Sequence, residues 1–355
     1  RILSITMPHS VEVFEVVFVV EGMDVSRVRM NRTDIEALEH APDGADQLMA
    51  RAVVEDPLRA RDPDRFEIRE PGRRFTWGLS PYVETALFDP EQPFLADIGV
   101  RAEARYEFGN GFVAEAELRA RVAGNLDDQR LLRPPGPNSP YPVRTDAYRF
   151  SQESDARVQR LTFSHYGRPA ENIYSRLTVG YLERMFAGVS GEVLWRPVDS
   201  RLALGLEVNH VWQRDFDGGL GLQDYNITMG HVSAYYDLSE NFEARLDVGR
   251  YLAGDYGATF RLERVFDNGW RVGAFATFTD VSFEDFGEGS FDKGITLSIP
   301  LGWATGNATR QTYGAVLRPV LRDGGAQLFV DGRLNGLVRG HHQPRLEDTR
   351  GMIWR

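Results

Sequence analysis

The sequence predicts a mainly β protein, an antiparallel transmembrane β-barrel of about 14 strands preceded by a small α+β periplasmic module. Three observations indicate this fold. From about residue 74 the polarity alternates with a period of two, the alternating segments run to ten to thirteen residues, and the connections are short at one end and long at the other. The expected division is a module with its linker over residues 1–70 and a barrel over residues 71–355.

The first element is the N-terminal module. Ser10–Val20 alternates loosely and predicts a strand, and Thr33 or Asp34 is expected to cap a short helix that continues to Glu39. A second helical stretch is expected over residues 47–54, and the linker is marked by Pro57, Pro63 and Pro71. Because the module is small for a hydrophobic core of its own, we expect an earlier portion of the chain to precede it.

The strands of the barrel follow. Residues 98–108 show the pattern most clearly, since the even positions are apolar and Arg101, Glu103, Arg105 and Glu107 occupy the odd ones. A period of two gives each strand one apolar and one polar face. The predicted strands are 74–88, 95–108, 112–122, 157–166, 172–182, 187–196, 201–214, 226–237, 242–252, 256–266, 270–281, 292–301, 310–318 and 327–334.

Alternation alone fits either a soluble sandwich with its apolar face buried or a membrane barrel with that face toward lipid. The length of the segments favours the barrel, because strands of soluble sandwiches average five or six residues. The small apolar residues favour it too, because a lipid-facing surface needs no large side chains to fill a core. They are Ala102, Ala104, Ala114, Ala116, Ala274 and Ala276.

The connections separate into two groups. Short turns are expected at residues 109–111, 167–171, 197–200, 238–241 and 267–269, and long loops at 123–156, 215–225 and 282–291. Two further connections on the long side, 183–186 and 253–255, are short. Outer-membrane barrels have short periplasmic turns and long external loops, so the pattern places the N-terminal module on the periplasmic side.

The turn after residue 108 fixes the pairing of its two strands. A three-residue loop, Gly109-Asn110-Gly111, keeps both apolar faces on the same side of the sheet and sets Arg105 opposite Glu115. We expect a type I turn followed by a left-handed residue. Aromatic residues flank this turn and others at the same end, which predicts an aromatic girdle at one membrane interface or, more simply, favourable cross-strand pairs. They are Phe108, Phe112, Trp195, Phe242, Phe266 and Trp270.

The polar faces predict a charged lumen lining. Its candidate residues are Arg101, Glu103, Arg105, Glu115, Glu117, Arg119, Glu207, Arg245, Asp247, Arg261 and Glu263. Such a lining could select a hydrated, charged glycan. Each pair could equally be a structural cross-strand contact that contributes roughly 0.2–1 kcal/mol, and the sequence leaves both interpretations open.

Composition narrows the possible functions. A net charge of −11 argues against nucleic acid as a partner, and the absence of cysteine excludes disulfides and thiolate metal sites. No catalytic residues, metal site or cofactor are expected. The acidic cluster Glu284, Asp285, Glu288 and Asp292 favours a solvated loop, or at most a weak calcium site, over a glycosidase pair. His341-His342 favours a solvated tail over a metal site.

Residues 172–328 resemble the YjbH-type family of exopolysaccharide-production outer-membrane proteins. The resemblance rests on Gly180-Tyr181-Leu182-Glu183, Gly191–Pro197, Gln213–Phe216, Gly230-His231, Gly249–Asp255, Asp285–Phe291, Lys293-Gly294 and Arg322–Gly325. It implies a bacterial outer-membrane barrel with periplasmic modules, acting without catalysis in secretion or assembly of an extracellular polysaccharide. It also implies outer-membrane lipid and periplasmic polysaccharide-export proteins as partners, and that this chain is a C-terminal part of a longer protein.

Two other functions stay open. The protein could be a general outer-membrane diffusion channel with no dedicated glycan, or a soluble all-β protein that binds or cleaves glycans. A requirement for detergent in folding separates the soluble alternative from both membrane alternatives. Loss of secreted polysaccharide on deletion, with unchanged uptake of small solutes, separates export from general diffusion.

Overall fold

The computed structural model describes residues 10–57, 74–87, 94–129, 138–239, 241–266, 268–287, 290–300, 312–318, 322–343 and 346. These residues form two antiparallel sheets of very different size. None of the helices in these ranges is long and apolar enough to cross a membrane.

The small N-terminal sheet has the order β1-β2-β3, with β1 at Val13–Val20, β2 at Met23–Asn31 and β3 at Val53–Glu55. Two helices, α1 (Arg32–Leu38) and α2 (Gly44–Arg51), connect β2 to β3. The predicted strand and both predicted helices are therefore present, although α2 begins three residues before the predicted stretch. The predicted cap is wrong, because Asn31 precedes the helix and its amide donates to Asp34 Oδ2 at 3.1 Å. Two strands were expected in the module, the second without bounds; the structure has three, with β2 and β3 following β1.

The large sheet is a 13-stranded meander in which each strand pairs with its neighbours in sequence. Its strands are β4 (Phe75–Leu87), β5 (Phe94–Gly109), β6 (Phe112–Gly124), β7 (Ala156–Ala170), β8 (Ile173–Tyr181), β9 (Phe186–Trp195), β10 (Leu202–Arg214), β11 (Leu222–Ser239), β12 (Phe242–Arg250), β13 (Tyr256–Val265), β14 (Arg271–Thr279), β15 (Asp292–Pro300) and β16 (Thr312–Leu317). Within the described ranges no ladder joins β4 to β16, so these residues form an open meander and not a closed barrel.

The remaining helices are short. They are α3 (Ala147–Gln152), α4 (Phe283–Phe286) and α5 (Leu334–Val338), with 3₁₀ turns at Leu126–Asp128 and Arg339–His341. The first 13 predicted strands correspond to β4–β16. The fourteenth, 327–334, is wrong, because residues 326–330 run as irregular chain and α5 begins at Leu334. Pro63, Pro71 and Glu288 lie outside the described residues.

The predicted register after β5 is confirmed, although the turn itself differs from the predicted three-residue loop. Asn110 and Gly111 both have positive φ, 52° and 79°, as in a two-residue type I′ turn. A bulge between Glu107 and Gly109 supplies the missing residue, so Arg105 still lies opposite Glu115. The predicted register is correct because a bulge adds one residue to one strand, as a loop longer by one residue would, and so keeps both apolar faces on the same side of the sheet.

The large sheet curls strongly. Glu84 on β4 contacts Arg184, in the loop after β8, with an Nη1–Oε1 distance of 2.6 Å. Four strand spacings would separate these strands by about 19 Å in a flat sheet. The concave side is called the inner face below, and the convex side the outer face. The short connections after β5, β7, β9, β11 and β13 define the turn end, and the opposite end is the loop end.

Candidate functional site

In the large sheet the polar side chains are buried and the apolar ones exposed, which is the reverse of the pattern in soluble proteins. On β10, Leu204, Leu206 and Val208 of the outer face are 44, 49 and 51% exposed, whereas Glu207 and Asn209 between them are 7 and 1% exposed. Other inner-face residues such as Ser190, Asp247 and Thr259 are almost fully buried. The inner face is therefore a hydrogen-bonded polar surface, and the outer face is an extended apolar one.

The predicted lumen residues fall into two inner-face groups, and the predicted pair Arg105 and Glu115 is one of the contacts found. On β5 and β6, Arg105 binds Glu115 at 2.6 Å, and Arg119 binds Glu117 at 2.8 Å. On the far strands, Arg245 binds Asp247 at 2.7 Å. The remaining candidates have these contacts: Arg101 with Glu103 at 3.2 Å, Glu207 with Arg333 at 2.9 Å, Arg261 over the Phe275 ring, and Glu263 with Arg271 at 3.7 Å.

Sequence reasoning missed the most buried part of this network. Arg176 on β8 donates to Glu192 Oε2 at 3.0 Å, to Thr178 at 3.2 Å and to Ser190 at 3.1 Å. The Arg176 side chain is fully inaccessible to solvent. An alternation count would have found it, because Arg176 and Thr178 lie on the polar face of a predicted strand. Their strand carries one charge only, so its polar face is less evident in the sequence than those of the charge-rich β5 and β6.

The C-terminal segment, defined as residues 322–343, lies along this inner face. At the loop end Asp323 Oδ1 accepts hydrogen bonds from the backbone N–H groups of Val143, Arg144 and Thr145 at 2.8, 2.7 and 3.0 Å. Its Oδ2 accepts the Thr145 hydroxyl at 2.8 Å. Asp323 is buried, so this carboxylate fixes the segment to the long loop between β6 and β7.

The middle of the segment pairs with charged groups of the wall. Arg333 makes a two-pronged contact with Glu207, with Nε–Oε2 at 2.9 Å and Nη2–Oε1 at 3.0 Å. The backbone N–H of Leu334 donates to Glu192 at 3.1 Å, and the Gln327 amide donates to Asp247 at 3.0 Å. The two-pronged geometry makes the Arg333 contact directional as well as strong.

The turn end of the segment is held by both the wall and the N-terminal module. Arg339 donates to Asp237 at 2.7 Å, and Arg196 donates to Asn335 at 2.8 Å. His341 stacks on Phe18 of β1, with 5.4 Å between ring centroids, and its carbonyl accepts a hydrogen bond from the Ser26 hydroxyl. The N-terminal module therefore closes the turn end and contacts the C-terminal segment directly.

His342 is fully buried, so the prediction of a solvated tail is wrong for this residue. Its Nδ1 donates to the Pro197 carbonyl at 3.2 Å, and its Nε2 lies 3.2 Å from the Tyr174 hydroxyl. Burial, and then the nearby Arg196 charge, lower the pKa of His342 to about 3. The imidazole is therefore neutral at physiological pH.

The acidic cluster of the loop after β14 is also only partly as predicted. Glu284 and Asp285 lie on α4, where the Ser282 hydroxyl accepts from the Asp285 N–H at 3.0 Å. Asp292 is buried, 3% exposed, and lies 3.7 Å from Arg318, so it is not solvated. In the described ranges no group of three or more histidine or acidic side chains is arranged to hold a metal ion.

Four of the sequence stretches that carry the family resemblance meet around the C-terminal segment. Glu183 accepts the Phe329 N–H at 3.2 Å, Arg196 binds Asn335, and Asp255 accepts the Gly325 N–H at 2.7 Å. Asp323 belongs to the segment itself. Residues scattered over the chain are thus brought together at one structural feature.

Comparison with known proteins agrees with this resemblance. A family model described as exopolysaccharide biosynthesis protein YbjH matches residues 1–340. The uncharacterized lipoprotein YjbH of Escherichia coli strain K12 is 31% identical over 326 residues, 87% of this chain and 46% of that protein. The chain therefore spans about half the length of this curated relative.

Among solved structures, the Salmonella typhi OmpF complex with daunomycin covers 63% of this chain and 84% of its own, at 9% identity and a TM-score of 0.32. This likeness is too weak to carry an argument about fold or function. The family match does not depend on this structural likeness, because the family model covers nearly the whole chain. The resemblance expected from the sequence is confirmed, and the chain belongs to the YjbH family of exopolysaccharide biosynthesis proteins.

Proposed function

We propose that the 13-stranded sheet is the wall of an outer-membrane β-barrel that takes part in secretion or assembly of an extracellular polysaccharide. In this proposal the barrel is non-enzymatic, its N-terminal module lies in the periplasm, and its partners are outer-membrane lipid, the polysaccharide and periplasmic export proteins. Family membership supports a role in exopolysaccharide production. The membrane location rests on the polarity of the sheet.

The observation that carries the proposal is the exposed apolar outer face. Large apolar side chains are exposed along consecutive strands, for example Val193 on β9, Leu206 on β10, Val232 on β11 and Leu246 on β12. A soluble monomer rarely exposes a contiguous apolar patch larger than a few hundred Å². Lipid contact accounts for this face, and a soluble glycan-binding or glycan-cleaving protein does not.

Aromatic residues at the turn end add support. Phe108 and Phe112, which flank the turn after β5, are 54 and 39% exposed. Both pack against Phe163 on β7, each with 5.8 Å between ring centroids. Trp195 at the same end is 39% exposed. An aromatic band at this height is typical of a membrane–water interface.

A general diffusion channel is less well supported. Such a channel needs an open aqueous path, and here the C-terminal segment lies along the inner face from one end of the sheet to the other. Buried apolar residues of the segment, including Leu328, Val330 and Leu334, pack among residues of the wall. A dedicated export or assembly role is compatible with a path that is normally filled.

The membrane part of the proposal is tested by gel migration of the complete protein refolded with and without detergent or lipid. We expect folding to require detergent or lipid and the unboiled sample to migrate faster than the boiled one. Folding in plain buffer without a migration difference would refute the membrane barrel.

The polysaccharide part is tested by deleting the gene in its own host. We expect secreted polysaccharide to fall at least tenfold while uptake of small solutes is unchanged. A loss of solute uptake with normal secretion would favour the diffusion channel instead. Incubating the purified protein with the secreted polysaccharide should leave its chain length unchanged, and shortening of the polymer would contradict a non-enzymatic role.

A further inference from the structure

We propose that the C-terminal segment is a displaceable plug, and that polysaccharide passes along the inner face only when the plug has left it. This inference rests on the proposed function, because it names the regulation of the same path. It is suggested by where the segment lies, by how it is attached and by what its removal would leave behind.

The segment obstructs the whole path. It begins at the loop end, where Asp323 binds the β6–β7 loop, and ends at the turn end, where the Gln343 N–H donates to the Val198 carbonyl at 3.0 Å. Between these points it contacts strands from β7, through Arg160, to β12, through Asp247. A flat sheet would separate these strands by about 24 Å, so the wall wraps around the segment.

Much of the attachment is polar. Polar contacts can be exchanged for contacts with water, whereas an apolar core cannot be opened to water in this way. Arg333 and Arg339 bind the wall carboxylates Glu207 and Asp237, and Asp331 binds the wall guanidinium of Arg160. Buried ion pairs contribute little net stability, because desolvation offsets much of their attraction. Water entering a vacated path would hydrate these groups again, so displacement costs far less than the number of contacts suggests.

The charges of the wall are consistent with an open state. On β8–β12 and the adjoining turn, the groups that meet the plug or pair with its contacts include five carboxylates, those of Glu192, Glu207, Asp237, Glu243 and Asp247. They also include three guanidinium groups, those of Arg176, Arg196 and Arg245. This set leaves two negative charges, and the plug supplies Arg333 and Arg339. The closed state is therefore locally neutral, and the open wall becomes a charged surface that favours water.

The N-terminal module is placed to act as the latch. Its β1 and β2 supply Phe18 and Ser26, which hold His341 at the turn end of the plug. Met23 and Val25 of the same hairpin pack in one cluster with Leu334 and Val338 of α5. A partner that pulls the module away from the turn end of the sheet would therefore release the part of the plug that lies there.

The absence of cysteine makes a direct test simple. Arg160→Cys and Asp331→Cys in the complete protein, expressed in the deletion host, place one thiol on the wall and one on the plug. A bis-maleimide with a reducible spacer then fixes the plug to the wall. The control pair, Arg149→Cys with Glu153→Cys, joins two exposed side chains one helical turn apart at α3 and leaves the plug free.

We expect the plug crosslink to lower polysaccharide secretion at least tenfold, reduction to restore it, and the control crosslink to change it less than twofold. Secretion at the control level with the plug crosslinked would overturn the plug proposal. A deletion host that secretes normally without the protein would instead refute the proposed function, so the two failures are distinguishable.

A second measurement does not involve polysaccharide. The variant with both Arg333→Gln and Arg339→Gln removes the two arginines of the plug that bind the wall carboxylates Glu207 and Asp237, and its folding is checked by heat-modifiable migration. In planar bilayers we expect its mean conductance to exceed that of the wild type at least threefold. A conductance equal to that of the wild type in correctly folded protein would overturn the plug proposal.

Discussion

Asp323 offers the sharpest test of how the C-terminal segment is anchored. The substitution Asp323→Ala removes a buried carboxylate that accepts four hydrogen bonds, three from backbone N–H groups and one from the Thr145 hydroxyl. Val143 is fully buried and Thr145 is 5% exposed, so their N–H groups have little access to water as a replacement partner. Each buried donor left unsatisfied costs about 1–3 kcal/mol.

These costs do not add, because the loop can relax once the carboxylate is gone. A conservative estimate of about 3 kcal/mol corresponds to a local opening roughly 100-fold more frequent. Hydrogen exchange of residues 142–146 and 322–327, followed by mass spectrometry on the protein in lipid nanodiscs, measures this opening directly. Asp323→Asn should give a smaller effect, because one oxygen still accepts the three backbone bonds.

The matched control is Asp331→Ala. Asp331 belongs to the same segment, but its side chain is 51% exposed and pairs with Arg160 near solvent. Exposed pairs contribute about 0–1 kcal/mol, so exchange should change less than fivefold. If Asp323→Ala changes exchange no more than Asp331→Ala does, the loop-end anchor is not what holds the segment.

Three further outcomes are expected. Val208→Arg, on the outer face, should lower the free energy of unfolding in lipid, measured by urea titration, by about 2–4 kcal/mol, whereas Leu220→Arg in the β10–β11 loop should leave it unchanged. Equal tolerance of both substitutions would favour a soluble protein. Because the pKa of His342 is lowered to about 3 from an unfolded value near 6.5, the unfolded chain binds the extra proton as the pH falls below 6.5. The segment should therefore lose about 2 kcal/mol of local stability at pH 5, seen as faster exchange of residues 339–343, and His342→Gln should abolish this dependence. Arg176→Met should lower the free energy of unfolding, measured by urea titration, by about 3–5 kcal/mol because Glu192 stays buried without its cation. Arg271→Gln, at a 47% exposed side chain, should change this free energy by less than about 1 kcal/mol.

Most of the sheet could be predicted because its information is local. A period of two is written into each strand, and turn residues mark its ends, so 13 strands were placed within a few residues of their observed bounds. The register at Arg105 and Glu115 also followed from parity alone. The position of the module at the turn end agrees with the expected connection pattern, through the contact of Asp56 with the Asn172 N–H at 2.8 Å.

The C-terminal segment could not be predicted for the opposite reason. Leu328, Phe329 and Val330 form an apolar run bounded by Gln327 and Asp331, which resembles a short strand. The side chains of Leu328 and Val330 are in fact buried in one apolar cluster with Val143, Phe150 and Phe186, and the backbone of residues 326–330 forms no ladder. A strand differs from an extended plug in the groups that its backbone and side chains bind, and here those partners lie 80 to 139 residues away along the chain.

The same separation has a consequence for assembly. Ser26 and His341, which meet at the turn end, are 315 residues apart in sequence, and Asp323 and Val143 are 180 apart. Contacts of such long range form late, since the loop they close must first be ordered by nearer contacts. The residues that fill the interior follow all 13 strands of the large sheet in sequence, so the wall has to stay open enough to admit them. Filling of the interior is therefore a late step of folding. A chain shortened before residue 322 would complete its strands around wall carboxylates that lack the arginines of the segment, Arg333 and Arg339.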